Sequence, residues 1–418
     1  MTPEELSARA DSPLSGVLAS GVSVPISLPT PLPPGALIPM TTLDVTSAEQ
    51  MGLVAKTLAS VSEVAVDVEA DSMHHFRARL CFVQLGTDRE IFLLDTLVPE
   101  ISPRALAVAF DNPAITKFFH AAQGDLQYLA EEGVRVRGLF DTHRAATLLG
   151  WPKVGLVDLV KEKLGAALKK EHQQSDFSIR PLPPELREYI ADDVRYLCEV
   201  GRWVRGACVT ADILEEVLLD CDRMCDDAAA RPDLEKDYSP KLPKHGLSRE
   251  QYAVAFHVAH ALHKKRLEWA AAEDLPMGRM LSNMALGAIA TRPPADLRAM
   301  VKLEGVRGAF VRAHGDELMA IIEKIQGEVK TGVLAAPEEK RDRDPKRKKR
   351  EDALVEWRKA EAATRKVTAS AVLSNGLVQE LSGNPPATLE ELEKVPYFGL
   401  KRLTRYGTTL MALLDPLR

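Results

Sequence analysis

The feature that most constrains the fold is an internal repeat in the C-terminal half of the chain, with an offset of 92 residues and no gap. The tetrapeptide MLSN at 280–283 recurs as VLSN at 372–375. Further pairs in the same register are Pro293 and Pro294 with Pro385 and Pro386, Leu297 with Leu389, Met300 with Leu392, Leu303 with Val395, and Gly315 with Gly407. Because no convincing strand pattern appears after Leu247, the repeat predicts two copies of a small helical module.

Module boundaries follow from this register and from the charge pattern. The first module is predicted at 247–327 and the second at 354–418, with a charged linker over 328–353. The start of the second module is less regular, because Trp357 stands four residues before the position that Trp269 predicts. Five consecutive cations at 346–350 favour either a solvated linker or a patch that attracts nucleic-acid phosphates.

Short apolar segments over residues 41–205 predict an α/β domain that precedes the modules. The predicted strands are residues 64–68, 80–85, 91–94 and 115–120, and the predicted helices are residues 125–132, 141–149 and 185–202. Residues 1–40 are rich in Pro, Ser and Leu, which is typical of an extended or disordered arm. Residues 206–246 are assigned to a segment that connects the domain to the first module.

Composition excludes several classes of protein. Hydrophobic residues make up 45% of the chain and charged residues 27%, with a net charge of −6, which is typical of a soluble protein of two or three domains. No apolar run approaches the roughly 20 residues of a membrane span, and no signal peptide is predicted. The five cysteines are expected to be free thiols in a reducing cytoplasm. No Gly-rich phosphate-binding loop is present, so no nucleotide cofactor is expected.

Asp67 and Glu69 stand two apart at the end of the first predicted strand, so both point to the same face of the sheet. Two neighbouring carboxylates repel each other, and a divalent cation would offset that repulsion. The alternative is an exposed edge strand that carries two solvated acids. A metal site therefore needs further acids from elsewhere in the chain.

Two later segments supply candidate acids. Asp125 lies where a loop enters a helix, a position at which Asp also serves as a simple N-cap. Tyr189 and Asp193 are four apart on a predicted helix and share a face, and Asp192 lies near that face as well. Helical geometry does not choose between Asp192 and Asp193, and a solvent-facing pair is the alternative.

In chain order, Asp-x-Glu, His-x4-Asp and Tyr-x3-Asp resemble the tyrosine-bearing branch of the DEDD exonuclease superfamily. The stretches similar to ribonuclease D are DVEADSMHHFRARLCFVQL at 67–85, FHAAQGDLQYL at 119–129, DTHRAATLL at 141–149 and RPLPPELREYIADDVRYL at 180–197. The resemblance implies metal ligands at Asp67, Glu69, Asp125 and Asp193, with Tyr189 positioning water. It also favours Asp193 over its neighbour through the Tyr-x3-Asp spacing.

The repeated helical modules resemble the HRDC domain, which the first copy matches through Trp269, Pro276, Leu281, Pro293 and Gly315. A pair of such modules behind the exonuclease is the ribonuclease D arrangement. The resemblance therefore implies an α/β ribonuclease H-like exonuclease domain, followed by two all-α HRDC-like helical bundles.

The same resemblance implies a 3′→5′ exoribonuclease that hydrolyses RNA from a free 3′ end with two Mg²⁺ or Mn²⁺ ions. A monomer is expected, acting on tRNA precursors or in RNA turnover. The alternatives are a DNA 3′→5′ exonuclease and a catalytically inactive nucleic-acid-binding protein, because the acids alone do not distinguish RNA from DNA. Ala70, Asp71 and Ser72 stand where many relatives carry an aromatic residue that helps wedge the terminal base, which leaves substrate preference open.

Other polar residues nearby are assigned mainly structural roles. Asp141 is expected to begin a helix, Gln84 to be a sheet residue with satisfied hydrogen bonds, and His120 to lie near the site without a direct catalytic role. His74 and His75 fit either a contact to substrate or a polar loop.

Overall fold

The computed structural model describes residues 40–168, 172, 174–230, 238–243, 245–337 and 344–417. The arm predicted at residues 1–40 lies outside these ranges except for Met40. Where the chain is described, no helix combines the length and the apolar character that crossing a membrane requires.

The first part of the described chain is built on a six-stranded mixed sheet. Its strands are β1 (Thr41–Val45), β2 (Glu63–Ala70), β3 (Leu80–Gly86), β4 (Glu90–Asp95), β5 (Thr116–Phe119) and β6 (Leu139–Asp141). They lie in the order β1-β4-β3-β2-β5-β6. Pairs β2–β3 and β3–β4 are antiparallel, and β1–β4, β2–β5 and β5–β6 are parallel.

Strand β2, which carries the first two candidate acids, is an inner strand. It pairs with β3 on one side and with β5 on the other. Asp67 lies opposite Gln84, and Glu69 lies opposite Phe82. The alternative of an exposed edge strand with two solvated acids is therefore wrong.

Helices surround this sheet. They are α1 (Ala48–Leu58), α2 (Ala107–Phe110), α3 (Gln123–Glu131), α4 (Thr142–Leu149), α5 (Leu156–Leu164), α6 (Pro184–Arg195), α7 (Leu197–Thr210) and α8 (Leu214–Ala229), with a 3₁₀ helix at Pro103–Leu106. The single helix predicted over 185–202 is two helices, separated at Tyr196. The reason is tertiary: α6 packs across β2, β3 and β4, whereas α7 packs against α4, β5 and β2.

The N-terminal edge of the domain differs from the sequence analysis, which predicted neither β1 nor α1. Strand β1 pairs in parallel with β4 along its whole length. Its sequence TTLDV has only two alternating apolar residues, Leu43 and Val45, which is too short a pattern to identify a strand. A signal for α1 was present in Ser47 and Gln50, because the Ser47 hydroxyl accepts from the Gln50 backbone N–H at 3.4 Å.

The segment predicted to connect the α/β domain to the first module is largely part of that domain. Helix α8 lies within residues 206–246 and packs on α3 and β6. Its side chains Val217 and Cys221 are fully buried in the α/β core. The domain therefore continues to about the end of α8 rather than ending at residue 205. All five cysteines of the chain are free thiols, as predicted.

Two helical modules follow, and the predicted succession of an α/β domain and all-α modules is confirmed. The first contains α9 (Arg249–Ala272), α10 (Met277–Met280), α11 (Asn283–Thr291), α12 (Leu297–Val301) and α13 (Gly308–Lys330). The second contains α14 (Arg347–Arg365), α15 (Ala369–Val372), α16 (Asn375–Gly383), α17 (Leu389–Glu393) and α18 (Leu400–Leu414), and ends in a 3₁₀ turn at Asp415–Leu417. Each module has its own hydrophobic core.

The repeated glycines have the same packing role in both modules. A Cβ on Gly315 would lie 2.7 Å from the Leu297 side chain, and a Cβ on Gly407 would lie 2.9 Å from the Leu389 side chain. Glycine thus allows α12 and α17 to approach the long helices α13 and α18 closely. The repeated glycine therefore reflects a helix–helix contact that is present in both modules.

The tryptophan that departs from the repeat register still fills the equivalent place. Trp269 packs on His314 with ring centroids 4.4 Å apart, and Trp357 packs on Tyr406 at 5.1 Å. His314 and Tyr406 are themselves in the repeat register. A shift of four residues is about one helical turn, so it keeps the side chain on the same helix face.

The charged linker is shorter than predicted. Helix α13 continues to Lys330 and α14 begins at Arg347, so helix replaces both ends of the predicted range 328–353. Within the run of five cations, Arg350 is buried and donates to the carbonyl oxygens of Ser382 at 2.7 Å and Leu417 at 3.0 Å. This arginine therefore stabilises the second module instead of extending into solvent.

The second module docks on the α/β domain. Ala371 of α15 is fully buried in the α/β core, and the Thr368 hydroxyl donates to the Leu148 carbonyl at 2.9 Å. The Lys401 ammonium lies 3.0 Å from the buried Glu216 carboxylate and 2.8 Å from Asp212. A mixed apolar and ionic contact thus joins the end of the chain to α8.

Candidate active site

Two strand residues and one helix residue bring carboxylates together above the centre of the sheet. Asp67 and Glu69 project from the same face of β2 because they are two residues apart in a strand. Helix α6 packs over β2 and adds Asp193. One ligand oxygen from each of the three carboxylates lies within 4.8 Å of the others. Acids that are more than 120 residues apart in the sequence thus form one cluster.

Asp192 and Asp193 have different partners. Asp193 is in the carboxylate cluster, whereas Asp192 pairs with Arg195, whose Nε lies 2.7 Å away. The structure thereby resolves a choice that helical spacing left open, in favour of Asp193.

Tyr189 lies on α6 one turn before Asp193, and hydrogen bonding from its hydroxyl partly offsets the rise in the pKa of the Asp193 carboxyl. Its ring stacks on Phe177 at 6.2 Å and meets the edge of His172 at 5.8 Å. Burial and the charges of Asp193 and Glu69 raise the pKa of the phenol, so it stays protonated. A neutral phenol held between two rings can orient a water molecule but does not act as a base at neutral pH.

Asp125 stands beside the cluster, in the described part of the chain, but is not one of its three close members. The residue is the third of α3, and Ala122 is the N-cap of that helix, so the alternative of a simple N-cap at Asp125 is wrong. Ala121 adopts a left-handed conformation with φ of 65°. The buried Asp141 carboxylate stabilises this turn by accepting from the Ala122 N–H at 2.7 Å.

Asp141 also accepts from the Arg144 N–H at 2.8 Å and caps α4, as predicted. His120 bonds the Thr142 hydroxyl at 2.9 Å through Nδ1. Burial and the neighbouring His143 lower the pKa of His120 to about 3, so its imidazole is neutral. These contacts position the turn that carries Asp125. The single N–H of the neutral His120 imidazole is used in the bond to Thr142, whose own hydroxyl donates to the Phe119 carbonyl oxygen.

The electrostatics of the cluster are dominated by burial and mutual repulsion. Burial, then the charges of Asp67, Asp193 and Asp125, raise the pKa of Glu69 to about 10. Burial, and then Asp67, raise the pKa of Asp193 to about 8. The pKa of Asp67 is raised well above its usual value by burial and by Asp125. Burial, then Asp141 and Asp193, raise the pKa of Asp125 to about 7.

This arrangement fits a divalent metal ion. Carboxylate oxygens are the donors that Mg²⁺ and Mn²⁺ prefer. Burial and neighbouring carboxylates raise the pKa of Asp67, Glu69 and Asp193, and a cation would offset both effects. Such an ion would favour the ionised form of each carboxylate. Asp67, Glu69 and Asp193 would hold it, with Asp125 beside them.

The loop after β2 is held by a residue that the sequence analysis considered only as a departure from the family. Asp71 is fully buried and accepts from the backbone N–H of Arg79 at 2.6 Å and from its guanidinium at 2.8 Å. His75 bonds Asp274 of the first module at 2.7 Å. Phe76 packs on the core of that module. For His75, the structure thus supports the interpretation as part of a polar loop.

Gln84 contradicts the expectation of a satisfied sheet residue. It is fully buried on β3, directly opposite Asp67. Among the residues that the structure describes, neither its Oε1 nor its Nε2 has a hydrogen-bond partner. Buried side-chain amides in folded proteins nearly always have partners, so this one requires an explanation.

Comparison with protein families is consistent with this geometry. A family model described as 3′-5′ exonuclease matches residues 44–202. The HRDC domain model matches twice, at 255–322 and 347–414. The exonuclease match contains Asp67, Glu69, Asp125, Tyr189 and Asp193, and the HRDC matches correspond to the two repeated helical modules.

Individual relatives agree in both sequence and fold. The chain is 32% identical over 283 residues to Ribonuclease D of Gluconacetobacter diazotrophicus, an alignment that covers 67% of this chain and 70% of that protein. The crystal structure of Escherichia coli RNase D superposes with a TM-score of 0.64 at 22% identity and covers 90% of this chain and 99% of that one. The crystal structure of the catalytic core of RRP6 from Trypanosoma brucei superposes with a TM-score of 0.57 at 24% identity and covers 73% of this chain and 86% of that one. These structural similarities show the fold, and the sequence similarity shows the family: the chain belongs to the ribonuclease D family and is a 3′→5′ exoribonuclease.

Proposed function

We propose that the chain hydrolyses the 3′-terminal phosphodiester of RNA at the carboxylate cluster, with two Mg²⁺ or Mn²⁺ ions as cofactors. The observation that carries the proposal is the convergence of Asp67 and Glu69 of β2 with Asp193 of α6 within 4.8 Å. When bound, two such ions supply stabilisation of charge on the attacking and leaving oxygens.

The residues of the chain have separate tasks in this proposal. Asp67, Glu69 and Asp193 would bind the metal ions at the centre of the sheet, and Asp125 adds negative charge at the edge of the cluster. The Tyr189 hydroxyl, fixed by its bond to Asp193, orients the water that attacks phosphorus. Because Tyr189 is neutral, its role is to position water and not to remove its proton.

The test is release of 5′-mononucleotides from a 3′-labelled single-stranded RNA, with and without Mn²⁺ or Mg²⁺. Wild-type protein is expected to release them only with metal. Asp67→Asn is expected to lower kcat by about a hundredfold to a thousandfold, because charge stabilisation is usually the largest catalytic contribution. Turnover of Asp67→Asn close to that of the wild type would show that the cluster is not the active site.

A DNA strand of the same sequence serves as the second substrate in this assay. Faster digestion of the DNA strand would favour the alternative of a DNA exonuclease. Absence of metal-dependent release from either strand would favour an inactive nucleic-acid-binding protein.

We further propose that the substrate is a structured RNA with a free 3′ end, such as a tRNA precursor. The Escherichia coli relative is described as an exoribonuclease involved in structured RNA processing, and this chain has the same fold over 90% of its length. Exposed Lys346 and Lys349 at the start of α14 would contact the phosphates of the RNA body.

The test changes both lysines to glutamine. Binding of a tRNA precursor is expected to weaken, with a shallower dependence of affinity on salt, while cleavage of a short oligomer is unchanged. Lys56→Gln with Lys161→Gln, two exposed lysines of the α/β domain, is the control with the same change in charge. Equal effects of both double variants would argue against a specific RNA contact at α14.

We also propose that the chain acts as a monomer in the cytoplasm. Light scattering after gel filtration measures the mass in solution, and a mass well above 45.9 kDa would contradict the monomer. Cell fractionation tests the location.

A further inference from the structure

Gln84 is a buried polar side chain that the proposed chemistry does not yet use. Its neighbours along β3, Val83 and Leu85, are fully buried and apolar. Both polar atoms of its side chain lack partners among the described residues. An apolar side chain of similar size would avoid this unfavourable burial, so a partner for the amide is expected.

The sheet register puts that partner within reach. Gln84 pairs directly with Asp67 across the antiparallel β2–β3 ladder, so both side chains project from the same face. Directly opposite residues in such a pair have Cβ atoms about 5 Å apart. A glutamine side chain is long enough to span this distance and to present an N–H to the carboxylate.

Helix α6 closes this face of the sheet. Gly86, two residues after Gln84 and on the same face, lies so close to α6 that a Cβ would be 2.7 Å from the Val194 carbonyl oxygen. Asp193 is the residue before Val194 in the same helix. Gln84 is therefore enclosed between the strand that carries Asp67 and the helix that carries Asp193.

We propose that Gln84 is a positioning residue that donates a side-chain N–H to Asp67 and so fixes the orientation of that carboxylate toward the metal. This inference rests on the metal site of the proposed function. A carboxylate that binds a metal through one oxygen leaves its second oxygen free to accept, and such outer contacts set the orientation of the ligand. Tyr189 and Asp193 form one such contact on the helix side of the cluster, and Gln84 supplies the contact on the sheet side.

The test compares Gln84→Met with a matched control, Leu93→Met, in the full-length chain. Methionine has a similar length but no amide, so Gln84→Met removes the donor and keeps the packing. Leu93 is buried and pairs with Gln84 from the opposite side, on β4, away from Asp67. The Leu93→Met variant therefore measures how a new methionine under α6 affects packing, without the loss of an amide.

Three quantities are measured: the melting temperature in EDTA, the Kd for Mn²⁺ by titration calorimetry, and kcat and KM on single-stranded RNA. For Gln84→Met we expect a melting temperature in EDTA equal to or above that of the wild type, because an unsatisfied amide is removed. We expect a Kd for Mn²⁺ weakened by about tenfold to a hundredfold. The value of kcat is expected to fall while KM is retained, and Leu93→Met is expected to match the wild type in all three.

Either of two results would overturn this role of Gln84. A Gln84→Met protein with unchanged Mn²⁺ affinity would show that the amide does not act on Asp67. A Gln84→Met protein that melts earlier in EDTA than Leu93→Met, or fails to fold, would show that the fold itself requires the amide. If the wild type binds no Mn²⁺, the metal site of the proposed function is itself wrong, and the inference about Gln84 is wrong with it.

Discussion

The adjacent carboxylates of Asp192 and Asp193 on α6 have different surroundings, and Arg195 accounts for much of that difference. Asp192 is paired with Arg195, whereas Asp193 faces Asp67 and Glu69. Burial, and then Asp67, raise the pKa of Asp193 to about 8. Two residues of the same type and the same helix thus carry different functions.

The first prediction follows from this pair. Asp193→Asn is expected to lower kcat by about a hundredfold to a thousandfold, because it removes charge from the cluster. Asp192→Asn, the control, is expected to retain most activity because its carboxylate faces Arg195. Single-turnover kinetics on a short RNA oligomer measure both. Similar losses in the two variants would contradict the assignment of Asp193.

The second prediction concerns pH and metal. An unfolded carboxyl group has a pKa of about 4, whereas the folded values are about 10 for Glu69, about 8 for Asp193 and about 7 for Asp125. At a pH between the unfolded pKa and the folded pKa of a carboxyl group, the folded state binds more protons than the unfolded state. The free energy of unfolding therefore decreases as pH rises through this range. The contribution of these carboxyl groups to stability is fully present only below the unfolded pKa.

The melting temperature in EDTA is therefore expected to fall from weakly acidic to alkaline pH, and Mn²⁺ is expected to reduce that fall. Asp193→Asn, which removes one of the repelling acids, is expected to fall less steeply than Asp192→Asn. A melting temperature that is independent of pH and of metal over this range would contradict the electrostatic account of the site.

At the scale of elements, the site depends on how closely α6 approaches the sheet. Gly86 on β3 makes this approach possible, since a Cβ there would lie 2.7 Å from the Val194 carbonyl oxygen. Backbone atoms cannot rotate away as the end of a side chain can, so a methyl group would displace the helix. Tyr189 and Asp193 would move with it.

The third prediction is that Gly86→Ala destabilises the protein by about 1–3 kcal/mol, as overpacking does, and lowers kcat more than KM. Gly206→Ala on α7 is the control, because a Cβ there meets nothing within 4 Å. It is expected to leave activity unchanged and stability unchanged or slightly raised. Urea denaturation and steady-state kinetics check both variants, and a Gly86→Ala protein with normal activity would show that α6 tolerates the displacement.

Elements were predicted from the sequence where a local pattern sufficed. The strands that became β2 to β5 were found, because apolar runs bounded by polar residues mark buried strands. The break at Tyr196 was not found, since α6 packs across β2, β3 and β4 whereas α7 packs against α4, β5 and β2. Strand β1 was missed because its apolar alternation is limited to Leu43 and Val45, and pairing with β4 defines it.

On the scale of the whole molecule, the second helical module completes the α/β domain. Ala371 lies in the α/β core, and the buried Glu216 faces Lys401 at 3.0 Å. Deleting residues 240–418 would therefore expose part of that core in addition to removing the proposed RNA contact at α14. Surface substitutions such as the lysine variants at α14 test RNA binding more directly than truncation.

The fourth prediction tests this docking. Lys401→Met is expected to lower the free energy of unfolding by about 2 kcal/mol, because it leaves the buried Glu216 carboxylate without its nearest cation. Lys394→Met, an exposed lysine in the same module, is expected to have little effect. Urea denaturation monitored by tryptophan fluorescence measures both. Equal changes in the two variants would show that the ion pair does not contribute to docking.

The sequence by itself determined the class of each part and the identity of the candidate ligands. Periodicity and the repeat offset are local properties of the chain, and they sufficed to predict an α/β domain and two helical modules; the resemblance to ribonuclease D implied Asp67, Glu69, Asp125, Tyr189 and Asp193. Only the tertiary structure brought Asp193 to Asp67 and Glu69 while pairing Asp192 with Arg195, buried Arg350 and left Gln84 unpartnered opposite Asp67. Those outcomes depend on contacts between segments far apart in the chain, which no local pattern encodes.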